Sequence, residues 1–156
     1  MLSQRRFQAI VHALLWRQSS NGLQICLHQR LTTGVMDGYW VCPGGRIAAG
    51  ERPVASVRRE IQEELGVDAL NPRLVGLLTI AMAMPLGGQT DQMTGVNYII
   101  ATNRWHGEAH AAEPHLHGAP MFFDVENLPD PHPGWVRDMA EHLRRDSTTL
   151  MKHYAD

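Results

Sequence analysis

With 156 residues, 44 % of them hydrophobic and 19 % charged, the chain has the makeup of one globular domain that can bury a core, which excludes disordered and fibrous classes. The formal net charge is −2 and no basic run exceeds two residues, which argues against a nucleic-acid groove that works by neutralising phosphates. A single domain over residues 1–156 is expected, with neither nucleic acid nor membrane as partner.

The chain opens on Arg5-Arg6 and an apolar run over residues 9–16, which has the outline of a short signal sequence. His12 interrupts the run, no small-residue cleavage site follows, and eight residues are too few to cross a bilayer. Residues 7–17 read instead as a strand. Ser19-Ser20-Asn21-Gly22 is turn chemistry, and Leu23, Ile25 and Leu27 alternate beyond it, so a β-hairpin is expected. Residues 32–39 are a loop with Gly34 and Asp37-Gly38. A short strand at 40–42 is ended by Pro43-Gly44-Gly45.

A helix opens at Glu51-Arg52-Pro53, because proline suits a first turn where its missing N–H has no partner to lose. Val54, Val57, Ile61 and Leu65 form its apolar stripe, and Gly66 closes it. Strands are expected at 74–84 and 96–102, split by a Gly-rich loop over 85–95. A long polar loop covers 103–119, and a strand covers 120–125. An amphipathic helix over 135–145 turns Val136, Met139, Ala140 and Leu143 inward. The order β-β-β-α-β-β-β-α predicts an α/β fold with a mixed sheet packed by helices.

Cys26 and Cys42 lie in apolar runs and read as buried free thiols of a reducing compartment, hence a cytoplasmic location. Among nine His, those at 106, 110, 115, 117 and 132 are scattered rather than set at zinc spacing. Four Trp and eight Met suit a core or a homodimer interface equally well.

The chemistry concentrates in the first helix. Glu60, Glu63 and Glu64 stand at relative positions 0, 3 and 4, which is one helix face. Three like charges side by side weaken a helix, and a solvated face would interleave Lys. A bound hard cation, Mg²⁺ or Mn²⁺, accounts for the cluster. Gly45, five residues, Glu51, seven residues, then Arg59-Glu60-Ile61-Gln62-Glu63-Glu64-Leu65-Gly66-Val67 resembles the Nudix box at every specified position. The chain looks most like the MutT-type nucleoside triphosphate pyrophosphohydrolases. Arg30 stands thirteen residues before Pro43-Gly44-Gly45, and Arg104-Trp105-His106-Gly107-Glu108 is followed by Glu113.

The resemblance implies an α/β/α sandwich and hydrolysis of a nucleoside diphosphate linked to X, by attack of water on phosphorus. It implies Mg²⁺ or Mn²⁺ held by Glu60, Glu63, Glu64, the Gly45 carbonyl and Glu113. Glu60 is the family's frequent general base, Arg59 orients the acids, and Arg30 contacts the substrate's phosphate end. Glu51 supports them from the helix N-terminus, where an acid is favoured. Substrate residues are less legible. Asn97, Asp124 and His132 are the candidates to read the base, and His132 stands near the place where the archetype carries an Asn. Pro85, eighteen residues after Val67, comes near the ADP-ribose hydrolase pattern without matching it. A nucleoside triphosphate is therefore the expected substrate. ADP-ribose or another nucleotide sugar, and a catalytically silent nucleotide-sensing module, are the alternatives.

Overall fold

The computed structural model describes residues 8–86 and 89–155, the side chains of 82–93 excepted. The expected features at Arg5-Arg6 and Phe7 lie outside the described residues. Alternation in the first strand, β1 (Gln8–Ser19), sets the architecture. Leu14 and Trp16 point to one side, and Val11, Ala13 and Leu15 to the other. The second strand, β2 (Gly22–Gln29), repeats this with Leu23, Ile25 and Leu27 against Cys26. The expected hairpin forms, with Ser19 paired to Gly22.

β1 changes partners along one edge. Over Ile10 to His12 it pairs with β4 (Gly44–Arg46), and over Trp16 to Ser19 with β2. At the fork the Ala13 N–H donates to the Pro43 carbonyl at 2.7 Å. Pro43-Gly44-Gly45 thus does not simply end the short strand β3 (Trp40–Val41): the two glycines enter a strand of their own. A Cβ on Gly44 would lie 2.2 Å from the Val11 carbonyl oxygen, so only glycine lets the backbones meet.

On the other edge β1 runs parallel to β7 (Gln89–Thr102), which pairs antiparallel with β6 (Arg73–Leu86). Pairing continues from Met82↔Met93 to Leu86↔Gln89, which corrects the loop expected over 85–95. Ladders are held by backbone hydrogen bonds, and hydropathy is blind to these where a strand is polar. Residues 87 and 88 lie outside the described residues. Besides β4, three short strands were absent from the sequence expectation. β5 (Asp68–Ala69) pairs with β8 (Trp105–His106), inside the segment expected as loop, and β10 (Leu150–Tyr154) adds to β6 in parallel. β9 (Met121–Asp124) pairs with β2 as a strand in the expected place. The main sheet runs β10-β6-β7-β1-β2-β3, mixed in direction.

One helix covers each face. α1 (Pro53–Leu65) sets Val57, Ile61 and Leu65 on Val11, Ala13, Leu15 and Ile100. α2 (Gly134–Arg145) sets Trp135, Val136, Met139 and Ala140 on Leu14, Leu78 and Ile99. The result is the expected mixed α/β sandwich. Pro53 occupies the first turn of α1, and Gly66 takes a left-handed φ of 68° while its N–H caps Gln62. Val54, expected in the apolar stripe, is 42 % exposed, because that turn runs past the packed part of the helix. Ile61→Ala removes side-chain volume from a packed core and is expected to destabilise by about 2–5 kcal/mol, read as a lower urea midpoint. Both cysteines are free and buried, and burial pushes the Cys26 thiol up to about 12. Among the described residues no helix is long and apolar enough to cross a membrane.

Candidate active site

The buried stripe of α1 is not purely apolar. Ser56, Glu60 and Glu64 share it with Val57, Ile61 and Leu65. Of the three box acids, only Glu63 is open to water, with its side chain 49 % exposed. Two carboxylates thus sit where the helix meets the sheet, and burial raises the pKa of both. Glu64 is pushed up to about 8, by burial first, then by Glu60. The Gly44 N–H, 3.1 Å from Glu64 Oε2, works in the opposite direction.

Arg59 is the hub of the outer side. Its Nη1 donates to Glu60 Oε1 at 2.9 Å and to Glu63 Oε2 at 3.2 Å. Its Nε and Nη2 grip both oxygens of Glu51, at 2.9 and 3.0 Å. This bidentate pairing, with an N–H from Ala48, drives the Glu51 carboxyl down to about 2. Glu51 precedes the N-cap, Arg52, and no acid occupies the first turn. Its support therefore comes through holding Arg59 rather than through the helix dipole expected from the sequence.

Gly45 lies against the same cluster. A Cβ there would be 2.4 Å from Glu60 Oε1 and 2.8 Å from Oε2. The Glu60 carboxylate occupies the volume that any other residue would claim.

Glu113 arrives from the loop before β9. The Ala112 N–H donates to the Glu64 carbonyl, and the His110 N–H to Leu65. On the far side the loop is tied to β2: Arg30 bridges to His117, and the Gly118 N–H donates to Gln29. Glu113 is thereby brought near enough that its charge raises the pKa of both Glu60 and Glu64. Four carboxylates are within electrostatic reach, Glu63 and Glu113 acting on Glu60, and Glu60 and Glu113 on Glu64, opposed by the Arg59 and Arg30 guanidinium groups. Among the described residues no three of these acids bring oxygens within 4.8 Å of one another, so a cation would have to draw them in. An all-oxygen donor set with surplus negative charge fits a hard divalent cation.

Across Gly44 and Gly45 from the acids lies a cavity of about 400 Å³. Ile10, Ile80 and Trp135 give it apolar walls, and Arg30, His12 and Asn97 its polar groups. Arg30 is anchored through Nε to Thr33 Oγ1 (3.1 Å) and the Val35 carbonyl (2.6 Å). Buried Asn97 places Oδ1 2.9 Å from His12 Nε2 and donates from Nδ2 to the Gly95 carbonyl at 3.3 Å. Burial lowers His12 to about 4, so the ring is neutral at pH 7, and it packs on Trp135 at 4.6 Å.

The sequence candidates therefore divide. Arg30 and Asn97 line the cavity, and Gly45 separates it from the acids. Asp124 and His132 are not among its lining residues. Asp124 accepts from Gln24 Nε2 at 2.8 Å across the β2–β9 ladder. His132 is held to the Pro129 carbonyl and Asp130 in its own loop, although neighbouring Pro133 reaches the cavity wall. His12 and Trp135 were missed as cavity residues. The available signal was a His inside the apolar run of β1. The structure also gathers what looked like scattered histidines: His28 and His117 stack at 4.2 Å beside Glu64.

The family model described as NUDIX domain matches residues 6–145. The chain is 30 % identical over 84 residues to the 8-oxo-dGTP diphosphatase of Proteus vulgaris, spanning 54 % of this chain and 68 % of that one. It is 48 % identical over 42 residues to the uncharacterized Nudix hydrolase YvcI of Bacillus subtilis (strain 168), an alignment that spans 27 % of each chain. The fold superposes on the MutT NUDIX hydrolase from Burkholderia pseudomallei with a TM-score of 0.73 at 23 % identity, covering 90 % of this chain and 99 % of that one. The matched span takes in both the acid-bearing helix and the sheet that positions it: the chain belongs to the Nudix family, as a MutT-type Nudix hydrolase.

Proposed function

We propose that the chain is a pyrophosphohydrolase that cleaves a nucleoside triphosphate with Mg²⁺ or Mn²⁺. The carrying observation is the placement of the two halves of the site. A largely apolar cavity sized for a base and sugar shares Gly44 and Gly45 with the acid cluster: Gly45 packs against the Glu60 carboxylate, and the Gly44 N–H donates to Glu64. Nudix hydrolases generally need divalent metal ions. A cation held by Glu60, Glu63, Glu64, Glu113 and the Gly45 carbonyl would neutralise the phosphates and polarise the phosphorus under attack.

The chain's own groups supply the rest. Arg30, fixed by Thr33 and Val35, presents its remaining N–H donors to phosphate oxygens. Glu60 packs against Gly45 at the boundary with the cavity and takes the proton of the attacking water. As the new P–O bond forms, the anhydride P–O bond breaks and the leaving group departs with the electron pair: pyrophosphate for attack at the α phosphorus, the nucleoside monophosphate for attack at the β. Arg59 keeps the Glu60 carboxylate oriented, and Glu51 keeps Arg59 in place. Asn97, with a lone pair and an N–H beyond those used by His12 and Gly95, reads a base edge while Trp135 covers the ring.

The P. vulgaris relative's name places a deoxynucleoside triphosphate, and an oxidised purine in particular, first among substrates to try. The test is hydrolysis of canonical and oxidised dNTPs, ADP-ribose and dinucleoside polyphosphates in ¹⁸O-labelled water. Label in the monophosphate or the pyrophosphate identifies the phosphorus attacked. Binding of nucleotides without turnover under either metal would make the domain a sensor and end the proposal. Asn97→Leu is expected to lower kcat/KM by about 10–100-fold, the effect of one or two hydrogen bonds in a dry site, mostly through KM. An unchanged KM would remove Asn97 from base reading.

A further inference from the structure

His28 lies on the same face of β2 as Cys26, beneath α1, and is 1 % exposed. Neither of its ring nitrogens has a hydrogen-bond partner among the described residues, and nor does Nδ1 of His117, which is 5 % exposed. The two rings stack in parallel, 4.2 Å apart and tilted by 6°. Stacking gives the rings dispersion contact and leaves their nitrogens unsatisfied. Buried polar atoms in folded proteins almost always have a partner. The third group present is Glu64. A ring nitrogen from each histidine and a Glu64 oxygen all lie within 4.8 Å of one another.

We propose that His28, His117 and Glu64 form a nitrogen-containing site for a borderline first-row transition ion, of the Zn²⁺ or Co²⁺ kind, at the inner end of the acid cluster. His28 Nε2 and Glu64 Oε2 are 3.4 Å apart. Two ligands about 2.0–2.1 Å from a tetrahedral ion stand ~3.3 Å from each other, as this edge does. A ring nitrogen binds an ion in the plane of its ring, so the parallel His28 and His117 rings must turn out of their stack for both to reach one ion. The Gly44 N–H on Glu64 Oε2 orients the carboxylate, as outer-shell donors do for metal ligands. Imidazole nitrogen selects the ion: Mg²⁺ prefers oxygens in a near-ideal octahedron, whereas Zn²⁺ and Co²⁺ take mixed nitrogen and oxygen sets.

The inference rests on the reading of Glu64 as a metal-binding acid. It adds an inner, nitrogen-rich end to a site whose outer end is all carboxylate. Two classes of divalent ion then meet at one glutamate, and an ion at the histidine end draws on the carboxylate that the outer end uses.

The test uses the whole chain, stripped of metal. Zn²⁺ or Mg²⁺ is added while the histidine ¹⁵N resonances are recorded, and Co²⁺ binding is followed by its visible absorption. Zn²⁺ is expected to shift the ring nitrogens of His28 and His117, and Mg²⁺ to leave them in place. His28→Gln and His117→Gln should each weaken Co²⁺ binding by about 100-fold or more, beyond the ~10–100-fold lost with an outer-shell partner. Glu63→Gln, at the outer end, should lose hydrolysis yet keep the Zn²⁺-dependent shifts. Ring nitrogens that do not move under Zn²⁺, or Co²⁺ affinity unchanged in both histidine variants, overturn the proposal while Mg²⁺-dependent hydrolysis stands. Shifts without any hydrolysis leave the nitrogen site standing and remove the hydrolase reading. Should a histidine variant fail to fold, the wild-type resonances decide.

Discussion

Glu64→Gln is expected to lower kcat by about 10²–10⁴-fold and, in the same protein freed of metal, to raise the melting temperature at pH 8. Both effects have one origin. Glu64 is buried beside Glu60, within reach of the Glu113 charge, and its pKa stands near 8 against an ordinary 4.5. Without metal, the folded protein keeps this proton up to about pH 8, whereas the unfolded chain releases it near 4.5. Stability linked to the group is therefore fully present below about pH 4.5 and is lost as pH rises toward 8. The neutral amide has no charge to repel, so the variant's metal-free stability should vary less with pH over that window. A bound cation reverses the balance in the wild type. Its stabilising effect should grow with pH across the same window, and a chelator should abolish hydrolysis. Glu63→Gln should cost similar activity with little change in metal-free stability, because that side chain faces water. Calorimetry of both variants with and without Mg²⁺, beside phosphate release, checks the pair. Full activity in both variants would remove the metal assignment, and an unaltered pH profile for Glu64→Gln would remove its electrostatic basis.

What the sequence disclosed and what it withheld follow from chain connectivity. The acids at 60, 63 and 64 were legible because a helix converts spacing into a face. The link from Glu51 to Arg59 was half legible: both residues were singled out, but their bidentate grip depends on how the turn before α1 folds back. Partners joined only by the sheet left no local trace. His12 and Asn97 are 85 residues apart and meet because β1 and β7 run parallel in that register. His28 and His117 meet because the loop carrying Glu113 is zipped to the end of β2. The same zipper brings Glu113 to the helix, and there the expectation came from resemblance rather than from the residues. The continuation of β6 and β7 into the segment read as a Gly-rich loop was hidden for a different reason. Hydropathy reports burial of side chains, and strand pairing there rests on the backbone.

Neighbouring glycines provide the sharpest separation of fold from chemistry. Neither Gly44 nor Gly45 has a positive φ, so what each protects is space. At Gly44 an added methyl meets the Val11 carbonyl oxygen at 2.2 Å, and that atom belongs to the sheet backbone, where β1 pairs with β4. The strands must part, so Gly44→Ala should lower the melting temperature, and activity should fall with it, because the same backbone carries the N–H that orients Glu64. At Gly45 the methyl meets the Glu60 carboxylate at 2.4 to 2.8 Å, the free end of a side chain that can rotate away. The fold can absorb that change and the chemistry cannot. Glu60 must leave the position in which Arg59 holds it at 2.9 Å, and a displacement on the order of 1 Å at a reacting group costs about 10²-fold. Gly45→Ala is thus expected to keep a near-native melting temperature while kcat falls by about 10²-fold or more. Thermal melts of the two variants beside their kcat values measure both halves of the contrast. If Gly45→Ala turned over at the wild-type rate, the placement of Glu60 against that glycine would have no part in catalysis, and the general base would have to be sought among Glu63 and Glu113.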